Sequence, residues 1–355
     1  MNGRQQENFQ NNDRFLNEVK ATEHKRDYTD PEKHYVRKNV WEPVACSRLE
    51  KINQRVNRRL RYFTLCAEDA IDIHYFYIKN LISSENGTYY PDTVYCECDK
   101  EPYEILAANF GKTIGFLSKF EDLVLKTDSV ESKSFYGLLP FDIFNLDFTS
   151  FCFPSSDPPF SDTINAIFNL IETMANLPTK QGFDMLFTFR AERKTNENET
   201  AINQLLNNQK DNITNYQFYK QAVEQKGLDF NDLVNSRYYE FLLYSLPKII
   251  GKRASDSGLL VGCPYSVYYP RPDLTHPSYY IISFVMSFDI FPTQQRRSIQ
   301  PELCTTDSNS ILTARYFELL SHIVNSNNQN IASTRFSKDE YKNEVKDLLA
   351  AIKHQ

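Results

Sequence analysis

A chain of 355 residues with 41% hydrophobic side chains can bury a sizeable core, which excludes a disordered polymer. A net charge of -6 excludes a polyanion binder by bulk electrostatics. With only 10 glycines, the glycine-rich turns that cradle phosphates have little to draw on.

Residues 1–28 are rich in Asn, Gln and charge and are expected to be flexible. From Pro31 to Arg59, residues Trp41, Val44, Leu49, Ile52 and Val56 recur at helical spacing and predict a helical lead-in over 29–59. From Lys25 to Arg61, eleven Lys and Arg stand against five Asp and Glu, a local +6. Such a strip is either a solvated helix face or a surface for phosphates or a partner, so the basic 25–61 segment is a candidate nucleic-acid contact. The rhythm then alternates. Leu60–Ala67 predicts a strand, Glu68–Ile82 a helix, Thr93–Asp99 a strand, Pro102–Phe110 a helix and Thr113–Leu117 a short strand. Phe141–Leu146 and Phe183–Arg190 predict further strands around a helix over Asp162–Leu177. Strands alternating with helices predict a parallel sheet with crossovers. Residues 193–250 interrupt the rhythm with polar and helical stretches. Two β-rich runs follow, Gly258–Tyr269 and Tyr279–Phe291, and predict a hairpin whose loop holds three prolines. The tail predicts helices at 311–325 and 338–353.

The expected organisation is thus a flexible segment (1–28), a helical lead-in (29–59), an α/β domain (60–291) with a helical insertion (193–250), and a helical extension (292–355). That order, from Leu60 to Phe291, resembles the class I S-adenosylmethionine-dependent methyltransferases. The resemblance covers roughly two thirds of the chain and rests on element order and a few local patterns. It implies a Rossmann-like three-layer sandwich, with a mostly parallel seven-stranded sheet ending in an antiparallel hairpin. It also implies S-adenosylmethionine as cofactor.

Residue by residue, the resemblance makes the following assignments. VYCECDKEPYEILAANF (94–110) is similar to the family's second strand and following helix, where an acid accepts the two ribose hydroxyls. A carboxylate suits that task because it only accepts. Glu97 holds that place by register, with Asp99 second. The family's first turn carries an acid and Gly-x-Gly. Here TLCAEDAID (64–72) has no glycine. Ala67 stands where a Gly would, and Glu68 or Asp69 is placed to bind the cofactor amine. The alternative puts these acids in the first turn of a helix, where they are favourable. In KFEDLVL (119–125), Asp122 or Glu121 takes the place that meets adenine. FDIFNLDFTSF (141–151) is similar to the fourth strand, whose end faces cofactor and acceptor. Asn145, Asp147 and Phe148 would orient and stack on the acceptor, as in enzymes acting on nucleobases. The family's prolines are missing from NLDF. Asp157-Pro158-Pro159-Phe160 spells the adenine-methylase tetrad but reads as a turn opening the next helix.

Other constellations carry less. Cys96 and Cys98 read as core thiols, since no second Cys pair or nearby His completes a zinc set. His74 reads as a packed histidine. Arg190–Lys194, Gly251–Arg253 and Gln294–Arg297 are basic pieces that could hold a phosphate. The aromatic helix over 230–250 is a candidate protein-partner surface, although Tyr and Phe also fill cores. Seven scattered cysteines, a polar start and the lack of a long apolar run lead to the expectation of a cytoplasmic chain with no membrane span. Two functions follow as expectations: a divergent methyltransferase, with a nucleic acid as one acceptor class, or an inactive scaffold subunit of that fold.

Overall fold

Asp30 opens the lead-in by accepting the Glu32 amide at 2.9 Å, with Pro31 at the first helical position, where its missing N–H costs nothing. The computed structural model describes residues 30–153, 162–179, 181–193, 198–271, 279–290, 308–325, 328–331 and 337–353. Helix α1 (Pro31–Val36) runs through a π-helical stretch (Arg37–Trp41) into α2 (Glu42–Asn53). Then follow β1 (Tyr62–Leu65), α3 (Ile71–Ile78), β2 (Thr93–Glu97), α4 (Lys100–Phe110) and β3 (Ile114–Leu117). Two short helices, α5 (Phe120–Leu125) and α6 (Val130–Gly137), lead to β4 (Ile143–Phe151), α7 (Asp162–Asn176) and β5 (Phe183–Ala191). Helices α8 (Glu199–Asn215), α9 (Gln217–Lys226), α10 (Phe230–Ser236) and α11 (Tyr238–Asp256) precede the hairpin β6 (Leu259–Arg271) and β7 (Tyr279–Ile290). The tail adds α12 (Ser308–Asn325), the two-residue β8 (Gln329–Asn330) and α13 (Lys338–Lys353).

The strands form one sheet of eight in the order β3-β2-β1-β4-β5-β7-β6-β8. Neighbours from β3 to β5 run parallel, and β7 is antiparallel to both β5 and β6. The chain is therefore α/β, with a mostly parallel sheet and the expected antiparallel hairpin near its end. Eight strands replace the expected seven because β8 pairs with β6.

Period-2 alternation divides the core between the two faces. Phe144, Leu146, Phe187 and Phe189 face α5–α7 and the later helices, while Tyr62, Ile143, Leu186 and Val285 face the lead-in, α3, α4 and α13. Several phenylalanines lie in stacks across strands. Phe183 and Phe288 are register partners 4.7 Å apart, and Phe187 and Phe284 are partners at 4.9 Å.

Several cations of the basic strip are paired within the chain. Arg48 bonds Asp184 at 2.7 and 2.9 Å and Asp289 at 2.9 Å, and Lys51 bonds Asp289 at 2.8 Å. Arg58 bonds Asp142, Lys38 bonds Glu344, and Arg61 donates to the carbonyls of Leu138 and Pro140. Gly182 lets Arg48 in, since a Cβ there would meet Arg48, Asp289 and the Phe288 carbonyl. The expectation of a free phosphate-facing strip over 25–61 is corrected for these described residues: Lys38, Arg48, Lys51 and Arg58 pair with acids brought from distant parts of the chain, and Arg61 is held by backbone carbonyls.

The aromatic helix is corrected too. Every residue of α11 from Phe241 to Gly251 is buried, and α11 packs on β6, β7, α7 and α12. Tyr239 stacks on Tyr280 at 4.0 Å and meets Tyr268 at 4.6 Å. Its rings serve internal packing rather than a partner. No helix among the described residues is long and apolar enough to cross a membrane.

Candidate functional site at the carboxyl edge of the sheet

Strand order reverses between β1 and β4: the chain runs from β1 out to β3 on one side, then returns to β4 and β5 on the other. Open α/β sheets bind ligands at the carboxyl edge beside such a reversal. Leu65 pairs with Cys96, the Cys66 amide donates to the Cys96 carbonyl at 3.2 Å, and Thr64 pairs with Asn145. The turn after β1 and the end of β2 therefore lie side by side.

That turn ends in Ala70, which has φ 43° and ψ 36° and caps α3 from the left-handed region. The strained position falls three residues after Ala67, where it was expected. It costs roughly 1–2 kcal/mol for a residue with a Cβ. Ala67, Glu68 and Asp69 are half-buried in the turn itself, ahead of α3 rather than in its first turn.

Beneath the turn lies a buried polar knot. One oxygen of Asp72, Oδ2, accepts from the Tyr62 hydroxyl at 2.7 Å, the Thr64 hydroxyl at 2.5 Å and the Asn145 amide at 3.0 Å. Asn145 Oδ1 is buried with no partner among the described residues. Burial, reinforced by the Asp72 charge, holds the Tyr62 hydroxyl well above its ordinary pKa. The Cys66 thiol is pushed well up as well, first by burial and then by Asp72, Glu97, Asp69 and Asp147. Four carboxylates thus act on the thiol at the end of β1.

Asp147 lies two residues beyond Asn145 and bonds Lys33 of α1 at 2.7 Å. The lead-in helix accordingly reaches over the end of β4. Phe148 turns to the other face of the sheet, stacking on Phe189 at 5.0 Å and meeting Phe120 at 5.7 Å. Alternation along β4 brings Asn145 and Asp147 together and removes Phe148 from them, so Phe148 is not placed to stack on an acceptor they hold.

Glu97 ends β2 half-buried, with one oxygen accepting the Asp99 amide at 2.8 Å. Burial raises its pKa. Asp99 occupies the cap position of α4 without capping it and is exposed. The ligand atoms of Glu97, Cys98 and Asp99 lie within 4.8 Å of one another, on consecutive residues of a strand end. Cys96 is the core thiol expected; Cys98 falls past the strand and is exposed, which corrects the shared reading. Asp122 lies in the first turn of α5, paired with Lys126 at 2.9 Å, and Glu121 accepts from the Thr163 hydroxyl.

Of the remaining candidates, His74 is buried against Tyr90, its Nδ1 3.0 Å from the Tyr90 hydroxyl, and burial lowers its pKa to about 4. Arg190 bonds Glu192 and lies 3.9 Å over the Tyr279 ring; Arg253 bonds Glu172. Residues 157–160 and 294–297 lie outside the described residues.

Sequence reasoning missed Asp72 and Lys33. Asp72 had a signal: it is the one acid in IDIHYFYI, a helix buried from Ile71 to Phe76. Lys33 had none, because its partner is more than a hundred residues away. Compared with known proteins, the chain matches no family model and no curated protein.

Proposed function

We propose that the carboxyl edge of the sheet, at the ends of β1, β2 and β4, binds S-adenosylmethionine, and that the chain is a divergent methyltransferase-like protein. The observation that carries this reading is the gathering of Asp69, Asp72, Glu97 and Asp147 around the end of β1, at the reversal of strand order. The order β3-β2-β1-β4-β5 is also that of Rossmann-type sheets. The cofactor carries a sulfonium and an ammonium, and partly desolvated carboxylates attract cations far more strongly than they do in water. The backbone fits as well: Ala70 supplies a left-handed step without glycine.

Glu97 is the ribose acceptor, with Asp99 beside it. Ala67, Glu68 and Asp69 line the amino-acid end. Asp122 would meet adenine by exchanging its Lys126 partner. When bound, the cofactor supplies an electrophilic methyl group. The chain's own part is to position and desolvate, which requires few strong catalytic groups. Asn145, fixed by Asp72 and Thr64, and Asp147 present polar atoms on the acceptor side. Because Lys33, Lys38, Arg48, Lys51 and Arg58 each pair with an acid of the same chain, a small acceptor suits this surface better than a nucleic acid.

A second reading, a binding or scaffold subunit without transfer, draws on the Lys33–Asp147 pair and on Phe148 facing away. A thermal-shift titration of the full chain with S-adenosylmethionine separates the two. Binding stabilises by about 2.7 kcal/mol at a hundredfold excess over Kd, and Glu97→Ala should abolish the shift. No shift at millimolar ligand overturns the first reading.

A further inference from the structure

Arg37 is 4% exposed, and its Nε and Nη1 are enclosed with no acceptor in reach among the described residues. Every other strongly buried cation of the lead-in has a carboxylate; Arg48, at 3% side-chain exposure, has two. An enclosed guanidinium cannot escape its charge by losing a proton, so it calls for an anion.

Other polar groups lie on the same side. The Arg37 amide bonds the Lys33 carbonyl, so the two side chains share one helix face, and Lys33 on that face reaches Asp147. Trp41, 1% exposed, follows in the same π-helical stretch, and its indole N–H also lacks a partner. Such π stretches are rare and recur at functional sites. On the lead-in side of the sheet, Asp147 pairs in register with Thr188, and Thr188 with Ser283, making a polar row across β4, β5 and β7. The Thr188 hydroxyl donates to Ser283 at 3.3 Å, and the Ser283 hydroxyl to the Phe187 carbonyl at 2.9 Å.

We propose that Arg37 is the receptor for the carboxylate of a small molecule, held between the lead-in helix and this polar row. The charge balance selects the ligand class. On this helix face Lys33 is paired with Asp147 while Arg37 has no acceptor among the described residues, so one guanidinium is left to meet a monoanion. A phosphate dianion would be repelled by Asp147 and the acids around Cys66. A planar carboxylate also matches the guanidinium fork. The site stands whether or not the neighbouring sheet edge holds S-adenosylmethionine. The carboxylate could belong to that cofactor's amino-acid end or to a separate small molecule.

Trp41, the one tryptophan of the chain, supplies the readout beside Arg37. The full chain is titrated with sodium propionate against sodium chloride at equal ionic strength while Trp41 fluorescence is followed. A saturable change with propionate alone is expected, lost in Arg37→Met. Without ligand, Arg37→Met should melt at a higher temperature than the wild type, because it removes a buried unpaired charge. No saturable change overturns the proposal. So does an Arg37→Met protein that responds like the wild type, melts lower or fails to fold, since the arginine then has an internal structural role. Competition of propionate with S-adenosylmethionine but not with 5′-methylthioadenosine, which lacks the carboxylate, assigns the carboxylate to the cofactor. Propionate binding indifferent to both assigns it to a separate molecule. If S-adenosylmethionine fails to bind at all, the methyltransferase reading falls while the propionate response still decides this one.

Discussion

Replacing Lys248 with Met should stabilise the chain at neutral pH and remove part of its stabilisation by alkali. Lys248 is 4% exposed within α11, and its ammonium donates to the Asn208 carbonyl at 2.8 Å and Gln209 Oε1 at 3.3 Å. Burial lowers its pKa from 10.5 to about 7, against a smaller upward pull from Asp211. At 1.36 kcal/mol per unit, that depression corresponds to roughly 5 kcal/mol of lost stability once both states are protonated. Between the folded and unfolded values the unfolded chain binds one more proton, so stability rises with pH from about 7 to 10.5. Integrated from pH 7 to 9, with the folded group half-protonated at the start, the gain is about 2 kcal/mol. Methionine fills similar volume without a charge. The loss of two hydrogen bonds from the neutral amine costs about 0.5–1.5 kcal/mol each, and Gln209 Oε1 keeps the Tyr219 hydroxyl at 2.6 Å. The assay is urea unfolding of both proteins at pH 7 and pH 9. The pH 9 minus pH 7 difference should be about 2 kcal/mol larger in the wild type. Equal differences would refute a lysine buried mostly neutral. The comparison between proteins matters, because the cysteines and Asp30 titrate over part of the same range.

Ala70→Gly relieves the left-handed strain, worth roughly 1–2 kcal/mol, while adding roughly 0.4–1 kcal/mol of unfolded-state entropy. The variant should be more stable by several tenths to about 1 kcal/mol, read as a raised midpoint in chemical denaturation; a lowered midpoint would contradict the assigned conformation. His74, held near pKa 4 by burial against 6.5 in the unfolded chain, should make stability fall as pH drops from 6.5 to 4. The loss attributable to it is at most about 3 kcal/mol, and His74→Phe should flatten that part of the pH–stability curve; an unchanged curve would mean the imidazole takes its proton in the folded state.

Which parts of this structure the sequence could disclose follows from the range of the interactions. Element order was readable because alternation and helical spacing are local: β2, β5 and the β6–β7 hairpin fall where TVYCECD, FDMLFTFR and the two β-rich runs predict them, and β4 begins within FDIFNL and runs on to Phe151. Glu97 was readable as a strand-end acid for the same reason. The face of β4 that carries Asn145 and Asp147 was also implicit in the period of two, and the same period sends Phe148 to the opposite side. Grouping those three as one constellation overlooked it. Charge was the poorest guide, since a count of Lys and Arg says nothing of where their partners lie. Arg48 meets Asp184 from 136 residues away and Lys38 meets Glu344 from 306.

The same long-range pairing changes what the lead-in is. By sequence, 29–59 is an appendage ahead of an α/β domain. In the fold, α1 is clamped between α13 and the sheet: Lys38 and His34 bond Glu344, Lys338 bonds Glu32, and Lys33 bonds Asp147 at the end of β4. A helix held at one side by the C-terminal helix and at the other by Asp147 is fixed over the end of β4. Displacing α13 would then loosen Lys33 and Arg37 together and expose Asp147. The end of β4, the lead-in helix and the C-terminal helix are for that reason one packed unit, joined through Asp147, Lys33, Lys38 and Glu344.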